Sequence, residues 1–244
     1  MHKLYVVHSS HPCAAVKKAL ELKAIAYKTV EMLIPTQMVI QRVRFRGVPT
    51  VPAMRLDGGE EVSGSRAIMR RLDELVPDPP LLPGGGAERA AVLTAEQWGE
   101  RTLQPLARRV AWGVFKHCPI AIASYQEASQ LPHLPRPILR LVAPGIIAIE
   151  QAVHGASTAQ TRTDLRALPG HLDRIDAWIA AGLLGGAGVP NAADLQIGSS
   201  LRLLLTIGDV RPLLAGRPAE GLATALFADY PGYVPAGSFP ADLD

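Results

Sequence analysis

Ser9, Ser10 and Cys13 are the residues of this chain whose types and spacing most directly suggest chemistry, and that chemistry involves sulfur. They lie between an apolar segment, LYVV, and the run AAVKKALELK, whose apolar residues recur at helical spacing. The free N–H groups and the macrodipole at a helix N-terminus favour a negative charge. A bound thiol, whose pKa in water is about 8.5, would therefore ionise more readily beside this segment.

The same residues also have a purely structural interpretation. Serine is a preferred helix N-cap, so Ser10 could serve only to begin the helix. Cys13 lies one turn into the helix, where a thiol is equally at home as a small buried apolar group. We expect His11 to be a surface residue rather than a general base.

The elements that must position these residues follow a definite order. Strands are predicted over 3–8, 26–31, 52–56 and 60–62, and helices are predicted to begin near Pro12 and to cover 36–45 and 65–76. The first strand, helix and strand form a βαβ unit, which favours parallel pairing. Asp57-Gly58 is a strong signal for a hairpin turn between the last two strands. The order βαβ, helix, ββ, helix predicts an α/β thioredoxin-like domain.

The rest of the chain is predicted to be helical. The Pro/Gly-rich stretch PDPPLLPGGGA suits neither helix nor strand and marks an interdomain linker. We place the first domain at 1–78, the linker at 79–87 and an all-α helical bundle at 88–244. Helices are predicted in the second domain over 88–117, 119–130, 136–155, 161–182, 192–207 and 218–228, with an irregular tail over 229–244.

Three segments, in order and with matching separations, resemble the glutathione S-transferase superfamily. The first runs from Leu4 to Met32 and, laid on the glutaredoxin-like CxxC motif, reads Ser10-His11-Pro12-Cys13. In that family a serine at the first position donates a hydrogen bond to the glutathione thiolate. The resemblance implies that Ser10 is the catalytic residue. Ser9 is the alternative if the loop is shifted by one residue, and Cys13 is the other.

The second segment, TVPAMRLDGGEEVSGSRAI, resembles the family's VPxL…DG…ESRAI pattern with the same spacing from proline to serine. This implies a cis peptide bond between Val51 and Pro52, so that the backbone of Val51 can pair with a thiol ligand as a short strand would. Val48-Pro49 competes for this assignment, but its spacing to Ser65 is three residues too long.

Ser65 begins the next helix, where its hydroxyl and N–H would hold the γ-glutamyl carboxylate of the ligand. Plain N-capping is an equally good interpretation of this serine. Gly64 stands where the family usually has an acidic residue, so a carboxylate for the ligand's ammonium group is missing. The implied co-substrate is therefore glutathione or a related low-molecular-weight thiol.

The third segment, GVPNAADLQIGSSLRLLL, resembles the buried helix of the family's C-terminal domain. Asn191 and Asp194 occupy the two positions of a capping box. This feature is structural, and its value is diagnostic of the fold.

The resemblance implies an enzyme that transfers a glutathione-type thiol to an apolar electrophile, with detoxification as the family's usual setting and a homodimer as its usual state. We expect the second substrate to bind in the interdomain cleft, with four aromatic candidates that are equally well explained as core residues: Trp98, Trp112, Phe115 and Tyr125. The alternatives are a glutaredoxin-like thiol–disulfide oxidoreductase that uses Cys13, and a non-catalytic thiol-binding or scaffold protein of the same fold.

Composition excludes several other classes of protein. Aromatic residues make up only 5% of the chain and the cations are dispersed, which argues against nucleic-acid binding. The seven histidines and two cysteines lack metal-ligand spacing, so we expect no metal. The apolar stretches are too short to span a bilayer, so we expect neither a membrane-spanning segment nor a secretory leader. With no disulfide framework, we expect a cytoplasmic protein.

Overall fold

The computed structural model describes residues 1–34, 36–45, 50–186 and 188–240. Its N-terminal part consists of β1 (His2–Val6), α1 (His11–Leu22), β2 (Tyr27–Glu31), α2 (Gln37–Arg44), β3 (Ala53–Arg55), β4 (Glu61–Ser63) and α3 (Ser65–Leu75). The strands form one sheet in the order β2-β1-β3-β4. The pair β1–β2 is parallel and the other two pairs are antiparallel. This is the predicted thioredoxin-like arrangement.

The two faces of the sheet follow from the alternation of side chains along β1. Leu4 and Val6 point to one face and join the main core, which also contains the apolar residues of α1 and α3. Tyr5 points to the other face, where its ring packs edge-to-face on Phe45 at 5.1 Å. Because Phe45 directly follows α2, the sheet lies between α1 and α3 on one side and α2 on the other.

The C-terminal part is helical, as predicted. It contains α4 (Gly86–Trp98), α5 (Gln104–His117), α6 (Arg136–His154), α7 (Thr158–Ala180), α8 (Ala192–Leu204), α9 (Arg211–Leu214) and α10 (Pro218–Leu226). A π-helical turn, Gly99–Leu103, joins α4 to α5, and a 3-10 helix, Pro119–Gln126, follows α5. The remainder, to residue 240, is an irregular tail with one isolated bridge between Ile207 and Val234.

Helix α8 forms the centre of the C-terminal part, and its predicted capping box is present. The Asn191 side chain accepts from the N–H of Asp194 at 3.0 Å, and the Asp194 carboxylate accepts from the N–H of Asn191 at 2.8 Å. The two bonds satisfy N–H groups that would otherwise lack partners at the start of a buried helix.

The sequence predictions missed three local features. The helix predicted over 88–117 is interrupted by the π turn, within which Gly99 lies so close to α8 that an added Cβ would be 2.9 Å from Ile197 Cγ1. The segment predicted as a helix over 119–130 is a 3-10 helix that ends at Gln126. Helix α9 has only four residues, which is too few for apolar periodicity to be detected.

The segment that leads out of α3 is fixed by a buried cation. The Lys23 ammonium donates to the carbonyls of Val76 at 2.6 Å and Pro79 at 2.8 Å, and lies 2.8 Å from the carboxylate of Asp73. The peptide bond between Asp78 and Pro79 is cis, which the sequence did not indicate.

Within the described residues no single helix could cross a membrane by length and hydropathy; α6 and α7, bent by 66° at their junction, pass that test only when taken together.

Candidate active site between the sheet and α5

A cavity of about 140 Å³ lies where β1 ends, between the sheet and helices α5 and α6. Its walls come from the loop that begins α1, the start of α2, the segment before β3, and one face each of α5 and α6. Most of the lining side chains are apolar, with a few polar groups among them. This composition is typical of a small-molecule binding site.

Ser9 and Ser10 both line the cavity at the start of α1. Ser10 is the N-cap, with an extended backbone (φ −76°, ψ 116°), but its side chain makes no capping hydrogen bond. Its backbone carbonyl instead accepts from the N–H of Ala14 at 3.0 Å. The hydroxyl therefore does not cap the helix. Capping was the purely structural interpretation of Ser10 suggested by the sequence.

Cys13 does not line the cavity. Its side chain is 0% exposed and belongs to the main core. Burial raises the pKa of its thiol to about 11, and the hydroxyl of Ser10 offsets only part of that shift. Because the thiolate is the reactive form of cysteine, a buried thiol with this pKa is a poor nucleophile. The geometry favours the interpretation of Cys13 as a small buried apolar group.

The loop before β3 brings a second candidate to the same cavity. The bond between Val51 and Pro52 is cis, which confirms the expectation from the resemblance. Val51 lines the cavity, and among the described residues no hydrogen-bond partner is found for its N–H or C=O. Pro52 is buried, and its carbonyl accepts from the N–H of Gly64 at 2.9 Å. The competing Val48-Pro49 bond lies outside the described residues.

Three of the four aromatic candidates for the second-substrate cleft line the cavity. Phe115 packs edge-to-face on Trp112 at 5.4 Å and on Tyr125 at 5.0 Å. Tyr125 also lines the cavity. Its hydroxyl donates to Thr206 Oγ1 at 2.5 Å, so this polar group already has a partner within the protein. Burial also raises the pKa of Tyr125, so its hydroxyl stays protonated.

The fourth candidate, Trp98, does not line the cavity, which corrects its assignment to the cleft. Its ring packs edge-to-face on Trp178 of α7 at 5.1 Å, and the Arg174 guanidinium lies 5.7 Å from its centroid. Trp98 precedes Trp112 by fourteen residues, which separates them by roughly 20 Å along a helix axis. One small cavity cannot contact both.

A polar cluster also lines the cavity, and it consists of His11, Gln37, Arg108, Glu150 and His154. The Glu150 carboxylate is 2% exposed; it accepts from Gln37 Nε2 at 3.2 Å and lies 3.1 Å from His154 Nε2. His11, expected at the surface, is only 3% exposed, which corrects that expectation. Burial, and then the charge of Arg108, holds the pKa of His11 well below its usual value, so its imidazole is neutral near pH 7.

The likeness to known proteins agrees with this geometry. A family model described as "Glutathione S-transferase, N-terminal domain" matches residues 4–80. A glutathione S-transferase from Rhodospirillum rubrum F11 is 20% identical, with a TM-score of 0.59 over 100% of both chains. Residues 4–80 therefore match the glutathione S-transferase N-terminal domain, and the chain as a whole has the glutathione S-transferase fold.

Other solved structures share the glutathione S-transferase fold along most of the chain. Glutathione transferase F7 from Populus trichocarpa is 17% identical with a TM-score of 0.63, over 93% of this chain and 94% of that one. A maleylacetoacetate isomerase from Anaeromyxobacter dehalogenans 2CP-1, with dicarboxyethyl glutathione and citrate in its active site, is 19% identical with a TM-score of 0.58, over 94% and 90%. No match was found among curated proteins.

One position of the glutathione S-transferase pattern has a different use in this chain. Ser65 is 3% exposed, and its hydroxyl donates to Gln196 Oε1 of α8 at 3.0 Å. This hydroxyl joins α3 to the C-terminal helices, and neither Ser65 nor Gly64 is among the described residues that line the cavity. Gly64 has φ +91°, a backbone conformation that glycine adopts without the strain an L side chain would meet.

The C-terminal tail reaches the loop that carries the serines, a contact that sequence reasoning missed. The hydroxyl of Tyr230 donates to the backbone carbonyl of Ser9, 221 residues away. Tyr230 is held in turn by Arg202, whose guanidinium lies 5.8 Å from its ring centroid. An added Cβ at Gly232 would lie 2.3 Å from the ring of Tyr125, so the tail passes directly over the aromatic wall.

The polar cluster also escaped sequence reasoning, although part of it had a signal. Arg108 precedes Trp112 by four residues and Phe115 by seven, which puts all three on one helix face. The contact between Gln37 and Glu150 spans 113 residues and has no local signature.

In the part of the chain that the structure describes, no group of three or more His, Cys, Asp or Glu side chains could hold a metal ion.

Proposed function

We propose that this protein is a glutathione S-transferase-like enzyme that transfers a glutathione-type thiol to an electrophile with an apolar body. The thiol loses its proton to solvent, and the resulting thiolate attacks an electrophilic carbon. A carbon–sulfur bond forms while a leaving group, such as chloride, departs with the electron pair. The observation that carries the proposal is that Ser10, Val51 and the aromatic face of α5 line one cavity.

The sulfur side of the cavity supports ionisation of the thiol. A thiolate beside the Ser10 hydroxyl would accept a hydrogen bond and lie at the positive end of the α1 macrodipole. Both effects stabilise the anion and not the neutral thiol, so they lower the pKa of the bound thiol. The backbone N–H and C=O of Val51, for which no partner is found among the described residues, can pair with the backbone of a peptide-like thiol, as the cysteinyl residue of glutathione would require.

The other side of the cavity supports an apolar second substrate. Trp112, Phe115 and Tyr125 form a continuous apolar ring surface along this side of the cavity. A low-dielectric wall strengthens the hydrogen bond to the thiolate and keeps hydrolytic side reactions away. The isomerase from A. dehalogenans, with a glutathione derivative in its active site, supports glutathione itself as the thiol.

A thiol–disulfide oxidoreductase that uses Cys13 is the less favoured function. It would need a reactive thiolate with access to substrate, whereas Cys13 is fully buried and its pKa is raised to about 11. A disulfide-reductase assay on Cys13→Ser separates the two functions. Activity that disappears with this substitution would reverse the ranking.

A non-catalytic thiol-binding protein is the second candidate, and one observation favours it. The hydroxyl of Ser65 is committed to Gln196, and Gly64 supplies no carboxylate, so two of the family's glutathione contacts are missing. Thermal stabilisation by glutathione without turnover of any electrophile would favour this candidate.

The proposal is tested by Ser10→Ala, assayed with glutathione and 1-chloro-2,4-dinitrobenzene. Loss of one charge-assisted hydrogen bond to the bound thiolate raises the pKa of the thiol and lowers the rate by about tenfold to a hundredfold, and we expect a much smaller change in the affinity for the thiol. Ser9→Ala is the matched comparison, because it removes the same group one residue away. Equal rates for Ser10→Ala and wild type would remove Ser10 from the mechanism, and a loss confined to Ser9→Ala would transfer the role to Ser9.

By family resemblance we also propose a cytoplasmic homodimer that acts in detoxification. Light scattering coupled to size-exclusion chromatography measures the mass of the particle in solution, and therefore tests the homodimer directly. A monomeric mass at micromolar concentration would contradict it.

A further inference from the structure

Arg108 is a half-buried cation of the cavity, with no counter-ion in contact in the part of the chain that the structure describes. It lies on α5 beside Ala111 and Trp112, and among the described residues its guanidinium makes no hydrogen bond and no ion pair within 4.0 Å. The neighbouring Arg109 shows the usual arrangement, with Nε and Nη2 at 2.6 Å and 2.8 Å from the two oxygens of Asp164. The charge of Arg109 is therefore neutralised by a carboxylate of the protein, whereas no described carboxylate pairs with Arg108.

The charges that face Arg108 do not satisfy it. Glu150 is the one carboxylate among the described lining residues, and both of its oxygens are engaged, one by Gln37 Nε2 at 3.2 Å and the other by His154 Nε2 at 3.1 Å. The thiol of Cys13 is neutral, and Arg109 adds a like charge that Asp164 compensates. An uncompensated cation in a partly desolvated position is costly unless a ligand supplies the counter-charge.

A second observation at the same place also indicates a ligand. His11 is 97% buried and lines the cavity, and its Nε2 has no hydrogen-bond partner among the described residues. The buried Oε1 of Gln37 likewise has no partner. Buried polar atoms in folded proteins are normally paired, so unpaired atoms around one cavity point to polar groups that arrive with a ligand.

We propose that Arg108 binds a carboxylate of the second substrate, so that the electrophile this protein accepts is an acid with an apolar body. The inference rests on the proposed function only for the statement that the acid is an electrophile. A guanidinium presents parallel N–H groups that match the two oxygens of one carboxylate. A single carboxylate is preferred to a multiply charged anion because Glu150 lies nearby. The apolar body packs on Trp112 and Phe115.

The sulfur of the thiol is the other anion that could lie near Arg108. The start of α1 already offers the thiolate a helix N-terminus and the Ser10 hydroxyl. The planar, bidentate guanidinium adds most where the anion has two oxygens. We therefore assign Arg108 to the carboxylate and make the thiolate an outcome of the test.

The test compares an acid with its methyl ester, using probes that cannot react. We choose 4-methyl-3-nitrobenzoate and methyl 4-methyl-3-nitrobenzoate, which have no leaving group, and measure their dissociation constants by calorimetry without glutathione. For the wild type we expect the acid to bind about tenfold more tightly than the ester, the effect of one charge-assisted contact. Arg108→Met abolishes this preference, and Arg108→Lys keeps part of it because the charge remains without the planar fork.

Lys116→Met is the matched control, since it removes one cation from the exposed side of the same helix. It should keep the tenfold preference, which excludes a general effect of net charge. Equal binding of acid and ester by the wild type, or a preference that survives in Arg108→Met, would overturn the proposal. If Arg108→Met keeps the preference and also raises the pKa of bound glutathione, read from thiolate absorbance near 240 nm, the guanidinium serves the thiolate and not the carboxylate.

These measurements are separable from the test of catalysis. Probes that bind without glutathione report on the cavity alone, whereas turnover of 1-chloro-2,4-dinitrobenzene reports on the sulfur side. An acid preference with no turnover would retain Arg108 as a carboxylate site and remove the transferase function. Turnover without an acid preference would do the reverse.

Discussion

The two walls of the cavity are built in different ways. The sulfur wall consists mainly of backbone features and short side chains: the start of α1, the cis bond before Pro52, and Ser10. The second-substrate wall consists of long side chains from α5 and α6, which meet residues from α1 and α2. The first wall is local in sequence and leaves a recognisable pattern. The second is assembled from distant helices, and it carries the charged side chains of the cavity, Arg108 and Glu150.

We propose that the sulfur wall sets the type of reaction and that the opposite wall sets the choice of substrate. Of the polar cluster, only His11 lies in a segment that resembles the family pattern. Its other members, such as Arg108 and Glu150, lie outside those segments, and the sequence did not predict them as cavity residues. If this division is correct, changes to the two walls will have separable effects on stability, thiol affinity and choice of electrophile.

The largest effect on stability is expected at Glu150, on the second-substrate wall. Glu150→Ala leaves the amide of Gln37 and the ring of His154 without their acceptor, and we expect the free energy of unfolding to fall by about 3 kcal/mol. Urea denaturation followed by circular dichroism measures this. Glu150→Gln, which keeps an oxygen acceptor, should recover most of the loss. A fall below about 1 kcal/mol for the alanine variant would mean that the cluster contributes little to the fold.

His11 connects the two walls, and its burial predicts a dependence of stability on pH. The folded pKa is well below the unfolded value of 6.5, so below pH 6.5 the unfolded chain binds a proton that the folded chain does not. Stability therefore falls as the pH falls, by about 1.4 kcal/mol per pH unit for one such group. His11→Asn should flatten this part of the profile between pH 6.5 and 5, whereas the exposed His117→Asn should not. Parallel profiles for wild type and His11→Asn would contradict the prediction.

Ser65 tests whether the sulfur wall includes the start of α3. Ser65→Ala removes the donor to the buried Gln196 oxygen, and we expect a loss of about 1 kcal/mol in the free energy of unfolding. Because the hydroxyl is not directed at the cavity, the dissociation constant for glutathione should stay within about threefold of wild type. A loss of affinity of more than tenfold, with unchanged stability, would return this hydroxyl to the binding site.

The smallest effect is expected at Cys13. Its burial and its pKa of about 11 predict no reaction with iodoacetamide in the folded protein at pH 8, while the partly exposed Cys118 is alkylated. Mass spectrometry of peptides identifies the labelled residue, and unfolding in urea should make both cysteines reactive. Rapid labelling of Cys13 in the native protein would place a reactive thiol on the sulfur wall and favour the oxidoreductase.

The amino-acid sequence by itself determined the fold and most of the sulfur wall. The order of periodic segments, the Asp57-Gly58 turn, the spacing from Pro52 to Ser65 and the capping box at Asn191 are all local. Local patterns survive in a single sequence because each is imposed by the backbone: a turn, a cap and a cis bond all need particular residue types at particular offsets.

Only the tertiary structure decided which side chains share the cavity. It separated Trp98 from Trp112, buried His11 and Cys13, and turned the hydroxyl of Ser65 towards α8. It also left Arg108 beside the cavity with no counter-ion in contact among the described residues. The physical reason is that burial and pairing depend on residues a hundred or more positions away, as the bonds from Gln37 to Glu150 and from Tyr230 to Ser9 show. Such contacts have no period and no spacing, so they exist only once the helices have packed.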